Sequence, residues 1–285
     1  MLNRILVNVN NEKEIEYLTK YAKVIKEKYP NVEIAGLFIK PDIEKSAYTG
    51  IINSYDSHEL KEEEDDYEKQ IKIEKKQEEI LGEKFLSLIE GGKFYIGSGN
   101  AAEVILDEMR LFDLLLLPQP NGASITVENI LKDHNNLDNV KELLLFGEKK
   151  IKEILEKHHK PVIVVPELEN YSIDKILVAD DQKLEVNKAL FNFMDLFTNI
   201  KEFTALSVDI KESMIKDLNV YFEKTEKKVN YKFETGKVDE VILNYSVNYD
   251  LIIMGNLKHS FMVEKIMGKP GIRIIESTNK PVFIL

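Results

Sequence analysis

Two adjacent carboxylates, Asp180 and Asp181, follow the apolar run Ile176 to Ala179. Paired carboxylates hold divalent cations or divide acid and base work between them. Adjacent residues leaving an extended run point in different directions, so the sequence predicts a strand-end turn in which one aspartate caps the next helix. The histidines are His58, His134, His158, His159 and His259; none has the i, i+4 spacing of a helical metal pair, and there is no Cys to complete a site. His158 and His159 precede Lys160-Pro161 and read as the end of a helix, where a cation favours the dipole. His259 and Ser260 lie beside Lys258, between Gly255 and Gly268, and are placed to reach a ligand there. No Gly-x-Ser-x-Gly elbow or Walker loop occurs, and Gly97-Ser98-Gly99 lacks the third glycine of a dinucleotide fingerprint. No constellation commits the chain to catalysis.

Composition narrows the partners. The 285 residues amount to about two domains of ~150 residues. With 44% hydrophobic and 31% charged residues, the chain has material for sizeable cores. A net charge of -11 repels polyphosphate backbones and anionic membranes, so neither nucleic acid nor a membrane is an expected partner. The absence of Cys excludes disulfides, thiolate metal sites and thiol nucleophiles, and fits the cytoplasm. Met1 to Val9 has the pattern of a strand and not of a signal peptide, and no apolar run approaches the ~18 residues of a spanning helix.

Any such residues must be positioned by the elements around them. Ile5-Leu6-Val7, Ile34 to Ile39, Leu114 to Leu117, Val162 to Val165, Ile176 to Ala179, Leu251 to Met254 and Val282 to Leu285 are apolar without alternation, as in parallel strands covered on both faces. Between them, Ile15, Leu18, Ala22 and Ile25, and again Val186, Leu190, Phe193 and Phe197, each line one face of a helix. Alternating strands and helices predict a doubly wound α/β fold.

The chain also repeats itself. Gly99 to Pro118 lies over Gly236 to Gly255 at a constant offset of 137, with Glu103-Val104-Ile105-Leu106 recurring as Glu240-Val241-Ile242-Leu243 and Asp113-Leu114 as Asp250-Leu251. Arg4-Ile5-Leu6-Val7 answers Lys175-Ile176-Leu177-Val178, and Lys160-Pro161-Val162 answers Lys280-Pro281-Val282. The common order predicts a duplicated domain, with copies over 1–167 and 172–285 joined by Leu168 to Tyr171. The first copy is longer in two places. Ser57 to Lys84, with Tyr67, Ile71, Leu81, Phe85 and Leu88 at helical spacing, is expected to be a long, largely solvated acidic helix; Gln119 to Phe146 is a polar insertion. Gly99 and Gly236 read as helix entries, with Asn100 and Glu103 forming a capping box, and Gly268-Lys269-Pro270 as a loop entering a helix through proline.

With its Ile-Leu-Val strand ending at an acidic residue, Gly-x-x-x-Glu helix start, Asp-Leu-Ile-Ile-Met-Gly strand end and closing Lys-Pro-Val strand, the chain resembles a tandem member of the universal stress protein family over nearly its whole length. The resemblance implies two Rossmann-like α/β domains, each with a mostly parallel five-stranded sheet flanked by helices, packed through the closing segments Val162 to Val165 and Val282 to Leu285. Members of the family that hold ATP carry a loop of the form Gly, two residues, Gly, nine residues, Gly, then Ser or Thr. Its glycines let the main chain approach phosphate, and the hydroxyl adds a donor beside a helix N-terminus.

Carried over, the second copy keeps Asp181 for the acidic role, Gly255 for the first glycine and Gly268 for the third, with Val208 at the neighbouring strand end. Lys258 replaces the second glycine, and Lys269, followed by Pro270, replaces the hydroxyl. In the first copy Asn10 replaces the acidic residue, Pro118-Gln119-Pro120 the start of the loop, and Gly147 is followed by Glu148, so a site of the usual kind is not expected there. The expected protein is a non-enzymatic, cytoplasmic stress-response protein whose second copy takes a small ligand at Asp181, Val208, Gly255, Lys258 and Gly268, with ATP and Mg²⁺ as the candidate cofactor. Two rivals stand beside it: a slow ATP hydrolase in which Asp181 holds a divalent ion and Lys258 the phosphates, and a ligand-free scaffold working through the acidic stretch Ser57 to Lys84. A homodimer is a further expectation to test, since the strand Val282 to Leu285 is a candidate for pairing with a second chain.

Overall fold

The computed structural model describes residues 1–40, 75–120, 150–151, 153–215, 217–222, 226–255 and 270–285. The elements run β1 (Arg4–Asn8), α1 (Glu12–Lys28), β2 (Glu33–Lys40), α2 (75–88), β3 (Lys93–Ser98), α3 (Ala101–Glu108), β4 (Leu114–Pro118), α4 (150–151 and 153–157) and β5 (Val162–Val165). They continue with β6 (Ile176–Ala179), α5 (Leu184–Leu196), β7 (Glu202–Val208), α6 (Asn219–Phe222), β8 (Lys228–Glu234), α7 (Val238–Ser246), β9 (Leu251–Met254), α8 (Pro270–Ser277) and β10 (Val282–Ile284).

The strands form one ten-stranded sheet in the order β3-β2-β1-β4-β5-β10-β9-β6-β7-β8. Every neighbouring pair is parallel except β5 and β10, which meet antiparallel with Ile163 opposite Phe283. Each half thus reads third, second, first, fourth, fifth strand outward to that seam. Because the seam is antiparallel, the strands of the two halves run in opposite directions, and their carboxyl ends face opposite edges of the sheet. The strand Val282 to Ile284 lies between β5 and β9 and has no free edge, so the expected pairing of this strand with a second chain is not available to it.

Alternate residues of the strands supply two cores. One face, with Ile5, Val7, Leu116, Val178 and Phe283, packs under α1, α2 and α5; the other, with Leu6, Leu115, Leu177, Ile252 and Ile284, packs under α3, α4, α7 and α8. The central strands are covered on both sides, which is why they read as unbroken apolar runs. In α2, Leu81 and Phe85 are buried against α1 and the sheet, with Phe85 5.5 Å from the Phe94 ring. The described part of the acidic helix is thus largely solvated, as expected, and is held to the core by Leu81 and Phe85 at the expected helical spacing. Its face is set by the spacing of Leu81 and Phe85, while Lys84 bridges Glu12 and Glu16 at 3.0 and 2.6 Å. Residues 57–74 lie outside the described residues.

The halves repeat in detail. The carboxylate of Asp113 accepts from the backbone N–H groups of Asn3 and Arg4 at 2.8 and 3.0 Å, and that of Asp250 from those of Asp174 and Lys175 at 2.9 and 2.8 Å. Ile5 pairs with Leu114 as Ile176 pairs with Leu251. His158 N–H closes α4 on the Ile154 carbonyl at 2.8 Å, as Thr278 N–H closes α8 on that of Ile274 at 2.9 Å. Side chains also join the halves: Tyr29 stands edge-on to Phe197 at 5.8 Å and Tyr21 to Tyr171 of the linker at 5.3 Å, while within the second half Phe193 stands edge-on to Phe283 of the seam strand at 5.1 Å, contacts worth about 0.5–1.5 kcal/mol each beyond area burial. On the other face the Gln119 side-chain amide donates to the carbonyls of Ile275 and Thr278 at 2.7 and 2.8 Å. Among the described residues no helix is long and apolar enough to cross a membrane.

Candidate functional site

Ligands of open parallel sheets gather beyond the carboxyl ends of strands where the order reverses. Here the order reverses twice, between β1 and β4 and between β6 and β9, giving one crevice per half.

In the first crevice Asn8, at the end of β1, is fully buried, and its amide is oriented by a bond from Nδ2 to the Leu37 carbonyl at 3.1 Å. Its Oδ1 accepts from Lys150 Nζ at 3.3 Å, and Asn10 Oδ1 accepts from the same ammonium at 2.7 Å. Asn10 faces the other way with Nδ2, donating to Glu14 Oε2 at 2.7 Å, and its backbone N–H donates to that oxygen at 2.9 Å. Glu14 also accepts from Asn11 Nδ2 at 3.0 Å, while Asn11 Oδ1 caps α1 through the Glu14 N–H at 2.9 Å. Burial pushes the Glu14 carboxyl above its ordinary range, opposed by the nearby Lys150 charge, and burial lowers Lys150. The two charges are thus linked through the Asn10 amide, which an aspartate could not replace, having no N–H to give Glu14.

In the second crevice β6, β7 and β9 are parallel, with Ala179 opposite Leu206 and Val178 opposite Ile253, so Asp181, Val208 and Gly255 emerge at one edge. Asp180 is buried; its carboxylate accepts from the Gln182 N–H at 2.9 Å, from the Gln182 side-chain amide and from Ser207 Oγ at 3.3 Å. Burial raises its carboxyl above the ordinary range. These bonds hold Gln182 in the left-handed region at φ 58°, and Asp209, next to Val208, takes φ 57° with its carboxylate accepting from Gly236 N–H at 3.3 Å. Left-handed non-glycine residues at two adjacent strand ends are uncommon and cost about 1–3 kcal/mol each in strained cases.

Asp181 is exposed and binds its own neighbour, accepting from the Lys183 N–H at 3.0 Å and from Lys183 Nζ at 2.9 Å. Neither aspartate caps α5: Lys183 is its N-cap, without a side-chain cap bond. Both carboxylates instead close turns onto the residue two positions on, the competing local pattern open to any Asp after a strand. In α3 the Asn100 side chain does cap, accepting from the N–H groups of Ala102 and Glu103. Gly255 has a packing role. A Cβ there would lie 2.8 Å from Val186 N and 3.0 Å from both the carbonyl carbon and Cβ of Glu185, in the first turn of α5. Lys258 and Gly268, with His259, Ser260 and Lys269, lie outside the described residues, as do Gly147 and Glu148 of the first half; Pro270 opens α8 as the sequence predicts.

The two crevices differ at equivalent positions. Val9 N–H reaches the Leu37 carbonyl at 3.0 Å as Asp180 N–H reaches that of Leu206 at 2.9 Å, which aligns Asn8 with Ala179 and Asn10 with Asp181. The matched ends of α4 and α8 align Lys150 with Pro270. Among the described residues, the second half therefore has no counterpart of the ammonium or of its two amide acceptors at these positions. Sequence reasoning missed Lys150 and Glu14. Asn11 and Glu14 have capping-box spacing and were legible; Lys150, beside Lys149, has the pattern of a solvated residue.

No protein-family model matches the chain, and no curated protein sequence matches it. Solved structures do. A universal stress protein from Archaeoglobus fulgidus DSM 4304 is similar with a TM-score of 0.61 at 19% identity, over 99% of this chain and 95% of that one. A functionally unknown protein from Pseudomonas aeruginosa PAO1 and a protein from Pseudomonas aeruginosa UCBPP-PA14 named as a universal stress protein each give a TM-score of 0.53 at 12% identity, over 100% of this chain and 92% and 93% of theirs. The chain has the Rossmann-like α/β fold of these proteins, a mostly parallel sheet flanked by helices.

Proposed function

We propose that this chain is a non-enzymatic, cytoplasmic stress-response protein of universal stress type, built from two copies of one domain over 1–167 and 172–285. Its ligand handling is confined to the second copy. The ligand is an adenine nucleotide or a small molecule of like chemistry, held with Mg²⁺ at Asp181, Val208 and Gly255 and at Lys258 and Gly268 beyond the described residues. Binding shifts the population between conformations that partners distinguish.

The difference between the crevices carries this reading. Where the first half sets Asn8, Asn10 and Lys150 against one another, the second has Ala179, Asp181 and Pro270, which leave a carboxylate at the edge and, among the described residues, no internal cation beside it. Among the described residues Asp181 is held by Lys183 alone, an exposed pair of the kind worth about 0–1 kcal/mol, so a divalent ion displaces that lysine at little cost.

Calorimetric titration of MgATP into nucleotide-stripped protein tests the proposal. The expected result is one site per chain, at least about tenfold weaker after Asp181→Ala, with no phosphate release above background. Absence of heat and of any thermal shift at millimolar nucleotide refutes it; sustained phosphate release transfers the site to the hydrolase reading.

A further inference from the structure

The first crevice carries a buried cation that the proposed function does not use. Lys150 is 8% exposed, yet its ammonium sits at the carboxyl end of β1, at the reversal of strand order where a bound ligand would lie in this architecture. Among the described residues, what faces it is oxygen: Asn8 Oδ1 at 3.3 Å, Asn10 Oδ1 at 2.7 Å and, through Asn10, the carboxylate of Glu14. Each oxygen is oriented by other bonds. Asn8 is fixed by the Leu37 carbonyl, Asn10 by its donation to Glu14, and Glu14 by the Asn10 N–H and the Asn11 amide. The acceptors therefore keep their direction whether or not Lys150 is there.

We infer that Lys150 is an internal ligand of the first crevice: its ammonium occupies a cation site formed by Asn8, Asn10 and Glu14, which excludes phosphate ligands from that half and, once vacated, takes a small alkylammonium ion. The chemistry follows from the donor set. Two amide oxygens and a buried carboxylate favour a cation with N–H donors and repel an anion. Burying an ammonium is costly unless it is paired and hydrogen-bonded, so removing one partner leaves the other charge uncompensated. The second half, with Ala179 and Asp181 where the first has Asn8 and Asn10, cannot build the same site.

The experiment is chemical rescue in the full chain. Lys150→Ala is expected to lower Tm, and methylammonium or ethylammonium chloride to restore about half or more of the loss saturably, while tetramethylammonium, which has no N–H, does not. The wild type shows no saturable response to any of them. Lys150→Met, which keeps the stem and fills the space, is destabilised and not rescued. Equal Tm values for Lys150→Met and wild type, or equal effects of methylammonium and tetramethylammonium on Lys150→Ala, overturn the inference.

For a Lys150→Ala chain that does not fold, the pair Lys150→Met and Lys150→Met/Glu14→Gln decides: the second is expected to recover much of the stability lost by the first, and no recovery overturns the inference. These readouts involve no nucleotide and so stand apart from the proposed site in the second half. Because the acceptors that repel an anion stay when the ammonium is removed, Lys150→Ala is expected to bind MgATP with the wild-type stoichiometry, and a new nucleotide site in this variant overturns the exclusion of phosphate from the first half.

Discussion

Gly255 separates two explanations of one residue. If it serves close approach of main chain to phosphate, Gly255→Ala leaves the ligand-free protein intact or slightly stabilises it, since a compatible Gly→Ala change gains about 0.4–1 kcal/mol through the unfolded chain. The structure predicts the opposite sign. The new Cβ falls 2.8 Å from Val186 N and 3.0 Å from the carbonyl carbon and Cβ of Glu185. Two of these atoms are backbone in the first turn of α5, a helix that carries the buried Val186, Ala189, Leu190 and Phe193, so it cannot shift without disturbing the core. Overpacking of this kind costs about 1–3 kcal/mol, or roughly 2–6 °C of Tm at about 2 °C per kcal/mol for a chain of this size. The assay is urea unfolding without ligand, followed by aromatic near-ultraviolet circular dichroism. A midpoint equal to or above that of the wild type refutes the packing explanation and returns Gly255 to a purely ligand-facing role.

Two further outcomes follow from the same geometry. Asp113→Ala and Asp250→Ala each remove a carboxylate from two backbone N–H groups at 2.8–3.0 Å, so each is expected to cost about 1–2 kcal/mol, the lower part of the range for bonds to charged groups because both lie near solvent. The repeat demands near equality; urea midpoints showing one change to be several-fold more damaging would break the equivalence. Burial holds the Glu14 carboxyl above its ordinary range, so the folded chain binds that proton more readily than the unfolded one. Its contribution is then full below about pH 4 and falls as pH rises through the folded value, and Glu14→Gln should remove that part of the slope. Identical pH dependence of the urea midpoint in variant and wild type would sink the assignment.

The sequence was most informative where burial is two-sided. β1, β4, β5, β6, β9 and β10 are unbroken apolar runs because helices cover both faces, and such runs need no partner residue to be read. The edge strands β3 and β8 escaped because exposure interleaves Lys93, Gly97, Asn230 and Lys232 among their apolar residues. The offset of 137 was legible because Asp113 and Asp250 carry a shared bonding task, the same bifurcated acceptance from the chain start of each half. In the described part of the acidic helix the spacing of Leu81 and Phe85 was enough to find the buried stripe, because the charged residues around them stay in solvent. The strand-end turn at Asp180 and Asp181 was legible, but the expected cap by one of them was not borne out, because capping and turn closure use the same side chain and the position of Lys183 at the helix start decides between them. Asn10 was read as the loss of an acidic residue; what determines its identity is Lys150, 140 residues away, which no local pattern could connect to it.

The antiparallel seam gives the two crevices different surroundings as well as different residues. Strands of the two halves run in opposite directions, so Asn10 and Asp181 lie at opposite edges of the sheet, and a ligand at one touches nothing of the other. Any influence of the second crevice on the first half must cross β5 and β10 or the contacts beside them. Gln119 is the side chain best placed for that crossing on one face: it leaves the carboxyl end of β4 beside the first crevice and donates to Ile275 and Thr278 at the end of α8, the helix that opens at Pro270 just beyond the segment proposed to hold the ligand. On the other face Phe193 of α5, the helix that starts after Asp181 and packs on Gly255, stands edge-on to Phe283 in the seam strand. Both helices that frame the second crevice therefore end on the seam. A ligand that moved the start of either would be felt by the first half through packed side chains, while the internal Lys150 network keeps that half from answering with a ligand of its own.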